Sequence, residues 1–253
     1  MHPRTVRAKL VASGLAPSSV NTHLRIARML FKAARRDAVI GEDPAQFVAG
    51  VRAPAGPVKP PFSLEELRAV LQVADPEWQS LVIFGFYTGQ RLGDLARLTF
   101  ASLDLDKNQF IIRTGKTSRF LAVPLPPPLR RHIESLGCAH QPHKPVHPCA
   151  AAVLESQGRT GMLSRQFGEL LEQAGLREKR SHQAGSGKRA PQSRLSFHSL
   201  RGTATTLLHE AGIPQAVAQA LIGHDSAAIH QVYVSVGREA LIAGANVYPN
   251  ILL

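Results

Sequence analysis

Cysteine is scarce: the 253-residue chain holds two, Cys138 and Cys149. That is too few for a disulfide framework, and the chain reads as cytoplasmic. Long apolar runs are missing as well. No stretch approaches the ~18–20 residues that a membrane span needs, and the longest, Leu81 to Tyr87, is the size of a core segment. The start of the chain lacks the basic and apolar regions of a secretory signal. Acidic residues are few: 18 Asp+Glu stand against 30 Lys+Arg, for a net charge of +12. That excess points to a polyanionic partner, most often nucleic acid, with a merely solvated basic surface as the bland reading.

What is present suffices for a globular fold, with 44% hydrophobic residues. A Pro-rich stretch, Ala53 to Pro61, cannot be helical and divides the chain as a semi-rigid linker. This gives two expected domains, residues 1–58 and 59–253. In the first, the pattern predicts one long helix over about Ser18 to Val39. On a wheel of 100° per residue, Arg25, Arg28, Lys32, Arg35 and Arg36 fall within an arc of about 100°. Leu24, Ile26, Ala27, Leu30, Phe31 and Ala34 fall on the remaining side. Residues 1–60 carry ten Lys/Arg and three Asp/Glu. A basic stripe without acidic partners at i+4 suits contact with phosphates.

The second block opens on Ser63-Leu-Glu-Glu, a capping box for a helix to about Val73. Asp75-Pro76 starts another helix, running through the apolar segment to about Thr88. A short helix is expected at about Leu92 to Leu98. Asn108–Thr114 and Arg119–Leu125 read as strands of a hairpin around Gly115-Lys116-Thr117-Ser118. Residues 126–160, rich in Pro and His, read as irregular. Helical patterns return at Ser164–Gly175, Ser199–Ala211 and Pro214–Ile222. The stretch Arg177–Arg201 has seven Lys/Arg and one acid and reads as a basic loop, with Lys188 and Arg189 as DNA contacts. The fold class is mainly α with a small β-hairpin.

Three segments carry the candidate chemistry. They are Tyr87-Thr-Gly-Gln-Arg91-Leu-Gly-Asp94-Leu, then Phe197-His198-Ser-Leu-Arg201-Gly-Thr, then Leu221-Ile-Gly-His224, with Tyr233 nine residues beyond. Lys116 sits in the hairpin turn. Singly these are weak signals: a lone His is usually a satisfied core residue, Arg91 could pair with Asp94, and Tyr233 could be a packed aromatic. In this order and spacing they resemble the tyrosine recombinase, or lambda-integrase, family. The resemblance covers about residues 62–245, and the long helix of the first block resembles the end of that family's core-binding domain.

Independently of family, breaking a phosphodiester without metal needs fixed positive donors on the non-bridging oxygens, where charge accumulates. Arginine meets that need, because its planar fork grips phosphate and stays charged. The resemblance implies Arg91, Arg201 and His224 as these donors, with Asp94 supporting Arg91. It implies Tyr233 as nucleophile, His198 as its proton acceptor or organiser, and Lys116 as donor to the departing 5′-oxygen. Arg113 and Arg119 on the hairpin are further candidate DNA contacts. The implied activity is site-specific recombination or integration of a phage or mobile element through a 3′-phosphotyrosyl intermediate. No cofactor or metal is implied. The implied partners are double-stranded DNA bearing a recombination site, and copies of the chain: four in the synapse, one when free. A helix after the tyrosine is implied to dock on a neighbouring protomer.

Two departures stand out. Gly202 occupies a position where the family very often has histidine, and the first block has about half the residues of the usual core-binding domain. Two other readings therefore stay open: strand relaxation of the type IB topoisomerase kind, and a non-catalytic DNA-binding relic. Tyr248 is a rival nucleophile at the wrong distance from His224. Gly115-Lys116-Thr117 lacks the glycine of a phosphate-binding loop, since Phe110 stands there. Cys138, His140, His143, His147 and Cys149 match no common zinc spacing and read as a plain surface loop. Glu210–Gly223 could pass for a helix-turn-helix, but its place between two motifs favours buried scaffold.

Overall fold

In the computed structural model the chain forms two compact units, Met1–Val58 and Lys59–Leu253. The structure describes residues 3–52, 60–113, 120–137, 141–178, 194–223 and 238–252.

The first unit contains α1 (Pro3–Ala12) and α2 (Pro17–Arg36). The sequence pattern missed α1. Helix α2 ends earlier than its pattern predicts: the Asp37 N–H bonds the Ala33 carbonyl, and Ala38 turns the chain with φ 55°. Its buried residues, Val20 and Leu24, form a small core with Val48. Asn21 clamps the returning chain, donating to the Val51 carbonyl and accepting from the Val51 N–H, both at 2.8 Å. The expected apolar side of α2 is buried only in part: Leu24 is buried and Ala27, Phe31 and Ala34 half-buried, whereas Ile26 and Leu30 are exposed. Burial follows a narrower stripe through Val20 and Leu24, which lies beside Arg28 on the wheel. The Arg28 guanidinium accordingly bonds the Val48 carbonyl.

The second unit is mostly helical. Helix α3 (Leu64–Val73) begins on the predicted capping box, with Glu66 N–H on Ser63 Oγ at 3.1 Å and Ser63 N–H on Glu66 Oε2 at 2.9 Å. Helix α4 (Pro76–Thr88) is capped by Asp75, whose carboxylate accepts the Trp78 N–H at 2.8 Å. Every α4 residue from Ser80 to Thr88 is buried, so this helix is the axis of the core. Next come α5 (Leu92–Leu95), a 3₁₀ turn (Phe100–Ser102), and strands β1 (Leu103–Asp104), β2 (Gln109–Arg113) and β3 (Phe120–Pro124). The sheet is antiparallel in the order β1-β2-β3, pairing Gln109 with Pro124 and Arg113 with Phe120. Later in the chain come α8 (Gly161–Gln173), α9 (Phe197–Glu210), α10 (Gln215–Ile222) and α11 (Arg238–Ala245).

Helices α6 (Pro127–Ser135) and α7 (Pro148–Gln157) overturn the expectation of irregular chain over 126–160. Prolines dominate this region, but they stand at the first positions of both helices, where a missing N–H costs nothing. Between the two helices the chain pairs with the segment after α5, through Phe100 N–H to Lys144 O at 3.1 Å and Val146 N–H to Leu98 O at 2.8 Å. That pairing carries His147 into the core with 0% exposure. It is therefore not part of a surface loop.

The tail packs on its own chain. A Cβ on Gly244 of α11 would stand 2.8 Å from Leu221 of α10. Tyr248 and Ile251 are buried, and the Tyr87 hydroxyl donates to Pro249 O at 3.0 Å while accepting the Ile251 N–H at 3.1 Å. Helix α11 packs against α10. Its inner side is matched to α10 by small residues, and two aromatic rings, Phe86 and Tyr87, receive Tyr248 edge-on at 5.9 Å.

Candidate active site

The site begins where α4 stops. Gly89 ends that helix with φ 61°, a conformation that glycine adopts without cost. Its bareness has a second use, since a Cβ there would lie 2.9 Å from Ile222 Cγ2 of α10. The chain then leaves the core through Gln90, buried and donating to Thr88 O at 3.1 Å and Ile222 O at 3.3 Å. Arg91 follows at the N-cap of α5. Asp94, 5% exposed, faces it across 3.9 Å.

Helix α9 is fixed against α4 by close contact. A Cβ on Gly85 would meet Phe197 at 2.8 Å and Leu200 at 2.9 Å, so only glycine permits this approach. The Phe197 ring is held edge-on by Phe167 at 5.3 Å and Trp78 at 6.5 Å. With Phe197 anchored inward, the next residue, His198, is exposed.

Arg201, one turn further on, points inward and is 6% exposed. Its Nη1 donates to Gly89 O at 2.8 Å and Ile222 O at 2.7 Å, and its Nη2 to Gly223 O at 2.9 Å. These carbonyls belong to the C-terminal ends of α4 and α10, the negative poles of both helices. A cation there is favoured, and its burial is compensated by charge-assisted bonds. Arg201 thus ties the residue two before Arg91 to the residue just before His224. The three motif segments, far apart in sequence, meet at one guanidinium.

A cleft of about 530 Å³ opens beside this tie, and its lining includes Arg91, Asp94, Arg97, Thr160, Ser164 and His198. Arg201 is not among the described lining residues. The structure therefore brings Arg91, Asp94 and His198 to one cleft and supports it with Arg201. Lys116, Arg119, Lys188, Arg189, His224 and Tyr233 lie outside the described residues, as does the side chain of Arg113 on β2. On α2, Arg25, Lys32, Arg35 and Arg36 are exposed, and Arg36 pairs with Asp37 at 2.9 Å.

The sequence pattern of the phage integrase family matches residues 62–239. The chain belongs to the phage integrase family. Its second unit is a tyrosine recombinase catalytic domain. Among curated relatives, tyrosine recombinase XerD of Caulobacter vibrioides is 25% identical over 241 residues, covering 92% of this chain and 75% of that protein. Tyrosine recombinase XerA of Pyrococcus furiosus is 24% identical over 255 residues, covering 97% and 80%. In solved structures the fold is similar to a lambda integrase dimer bound to a COC′ core site, with TM-score 0.62, 17% identity and coverage of 88% and 78%. It is also similar to the integrase from mycobacterium phage Brujita, with TM-score 0.58, 18% identity and coverage of 96% and 77%.

Against this phage integrase fold, several residues escaped the sequence reading. Gln90 stood inside a quoted motif, yet nothing local marked it as a buried bridge to α10. Thr160 and Ser164 reach the cleft from the start of α8, a long-range placement with no local signal. Arg97, whose Nη1 bonds Gly93 O at 2.8 Å, was legible only as one more surface cation. Tyr248 is excluded as nucleophile, being 7% exposed in the core with its phenol pushed up by burial. Among the described residues no three His, Cys, Asp or Glu converge to hold a metal ion, and no helix is long and apolar enough to cross a membrane.

Proposed function

We propose that this phage integrase family member is a site-specific recombinase that cuts and rejoins double-stranded DNA through a 3′-phosphotyrosyl link to Tyr233. The observation that carries the reading is the Arg201 tie. It joins the end of α4, which leads to Arg91 in the cleft that His198 also lines, to the end of α10, after which His224 follows in the sequence. A scissile phosphate bound in that cleft would find both a guanidinium and an imidazole in its walls.

The chemistry balances without a cofactor. The Tyr233 oxygen attacks phosphorus and its proton passes to His198. The bond to the 5′-oxygen breaks, and that oxygen takes a proton from Lys116. A 5′-hydroxyl of a second strand then reverses the steps, so the energy of the broken bond is kept in the phosphotyrosine. Arg91, Arg201 and His224 supply positive charge to the pentavalent phosphate, and Asp94 holds Arg91 in orientation. Choice of nucleophile is supported by elimination. The chain has three tyrosines, and Tyr87 and Tyr248 are buried in the core.

The relatives' names, tyrosine recombinases XerD and XerA, agree with this activity. Lambda integrase structures include a tetramer on a Holliday junction, which supports assembly of four copies on two duplexes. Exposed Arg25, Lys32, Arg35 and Arg36 of α2, with Arg113, Arg119, Lys188 and Arg189, are proposed to contact DNA, and the first unit to act as a short core-binding domain.

A nicked duplex carrying the cognate site tests the proposal. The full chain should form a covalent adduct, and Arg91→Ala should slow its formation by about 100-fold or more. Salt-sensitive binding with no adduct would instead favour a non-catalytic protein. Relaxation of a plasmid lacking any site would favour topoisomerase activity.

A further inference from the structure

Four elements meet at Ser80, away from the cleft. The Ser80 hydroxyl of α4 lies 3.0 Å from Nε2 of His147, at the N-cap of α7, and 2.9 Å from Nε2 of His132 on α6. Nδ1 of His147 lies 3.1 Å from the carbonyl oxygen of Leu95, the last residue of α5. Ser80 and His147 are buried, at 3% and 0% exposure. The Phe84 ring stands edge-on to both imidazoles, at 6.1 Å from His132 and 5.3 Å from His147.

Valence fixes where the protons are. A carbonyl can only accept, so His147 Nδ1 carries a hydrogen and donates it to Leu95. In the neutral ring Nε2 is then an acceptor, and the Ser80 hydroxyl must donate to it. That hydroxyl has one hydrogen, so it accepts from His132, whose Nε2 therefore carries one. The relay runs one way: His132, Ser80, His147, Leu95. Burial keeps His147 neutral, lowering its pKa to about 4 against the opposing pull of the Leu95 carbonyl and then of Glu77; His132 adds to the lowering. Glu77 and His132 are the titratable groups that face it.

We infer that this relay positions the Arg91 segment, and that His147 is a positioning residue for the cleft. The inference rests on the reading of Arg91 as a phosphate ligand. Helix α5 has four residues, too few to hold itself together. Its bonds run from Asp94 and Leu95 N–H back to the Arg91 carbonyl, at 2.9 and 3.0 Å. Leu95 is thus the far end of the turn that orients Arg91, and His147 holds that end. Misplacement of a reacting group by an ångström can cost about 100-fold in rate, so a loosened α5 would be felt in the chemistry.

Three variants of the full chain test this. His147→Asn keeps an N–H donor where Nδ1 was, His147→Leu keeps bulk without a donor, and Ser80→Ala breaks the relay behind an intact ring. Two readouts are needed: amide hydrogen exchange of Asp94–Leu98 with α4 as internal reference, and single-turnover cleavage of a nicked duplex at saturating protein alongside DNA affinity. His147→Leu should lose about tenfold or more of its exchange protection at Asp94–Leu98 alone. Its cleavage should slow about tenfold or more, with affinity within about twofold. His147→Asn should stay within about threefold of wild type on both. Ser80→Ala should fall between them, and it decides the matter if His147→Leu does not fold. Wild-type exchange or cleavage in both His147→Leu and Ser80→Ala overturns the inference. So does protection lost equally throughout the unit, or failure of Asn to rescue. If the wild-type chain forms no adduct, the recombinase reading fails, and the exchange arm alone still decides whether the relay holds α5.

Discussion

The guanidinium of Arg201 donates to the carbonyl oxygen of Gly223 at 2.9 Å, and the residue after Gly223 is His224. One buried side chain on α9 therefore sets where α10 ends and where the third motif begins. The same guanidinium reaches Gly89 O at 2.8 Å, setting where the first motif leaves α4.

Removing that side chain should cost stability as well as activity. Arg201→Met keeps length but takes the guanidinium from the Gly89 and Gly223 carbonyls, each worth about 1–3 kcal/mol when buried unmade, while Ile222 O keeps its Gln90 donor. These costs are not additive, and a loss of about 3–5 kcal/mol is expected. Arg201→Lys should lose less, because one ammonium still satisfies part of the set. Urea unfolding of the three proteins measures the order.

Glycine 89 should be irreplaceable for two reasons that can be separated. Gly212 has φ 72° and open space within 4 Å of where a methyl would stand, whereas Gly89 has φ 61° and Ile222 at 2.9 Å. Gly212→Ala should cost about 1–2 kcal/mol from backbone strain alone. Gly89→Ala should cost more, since Ile222 must also move. Denaturation midpoints of the pair give the difference.

The α2 arginines should govern salt dependence. Each phosphate contact contributes about 0.9 to the slope of log affinity against log salt. Replacing Arg25, Lys32 and Arg35 with glutamine should lower that slope by about 2.7. Arg28→Gln should change it less, because that guanidinium is already bonded to the Val48 carbonyl. Fluorescence anisotropy across a salt series is the measurement.

Acid should unfold the second unit partly through His147. Its folded pKa of about 4 lies below the ordinary value of about 6.5. The unfolded chain therefore binds a proton first as pH falls. The stabilising contribution is complete above about 6.5 and is lost progressively down to about 4, by roughly 3 kcal/mol in all. His147→Asn, which does not titrate, should show a flatter unfolding free energy across that window.

Helix α3 and helix α4 were legible in the sequence because their signals are local. Ser63 and Glu66 cap one, Asp75 and Pro76 start the other, and Gly89 stops it. The motif residues were legible as a set because their order is. What stayed hidden depends on contacts across the chain. The prolines at 127–128 and 148 look like breakers until they are seen as first-turn residues of α6 and α7. His147 looks like a loop residue until the strand-like pairing of Val146 with Leu98 draws it inward. The inward turn of Arg201, toward carbonyls rather than straight into the cleft, cannot be read from its spacing to His198. Nor could the apolar pattern on α2 show that burial follows Val20 and Leu24 and leaves Leu30 exposed.

The most direct measurement is identification of the residue joined to DNA. A nicked duplex with the cognate site is reacted with the full chain, the adduct is digested, and the DNA-linked peptide is sequenced by mass spectrometry. The account predicts a single linked residue, Tyr233, with the adduct absent in Tyr233→Phe and retained in Tyr248→Phe. Linkage at Tyr87 or Tyr248, or an adduct that survives Tyr233→Phe, would contradict it.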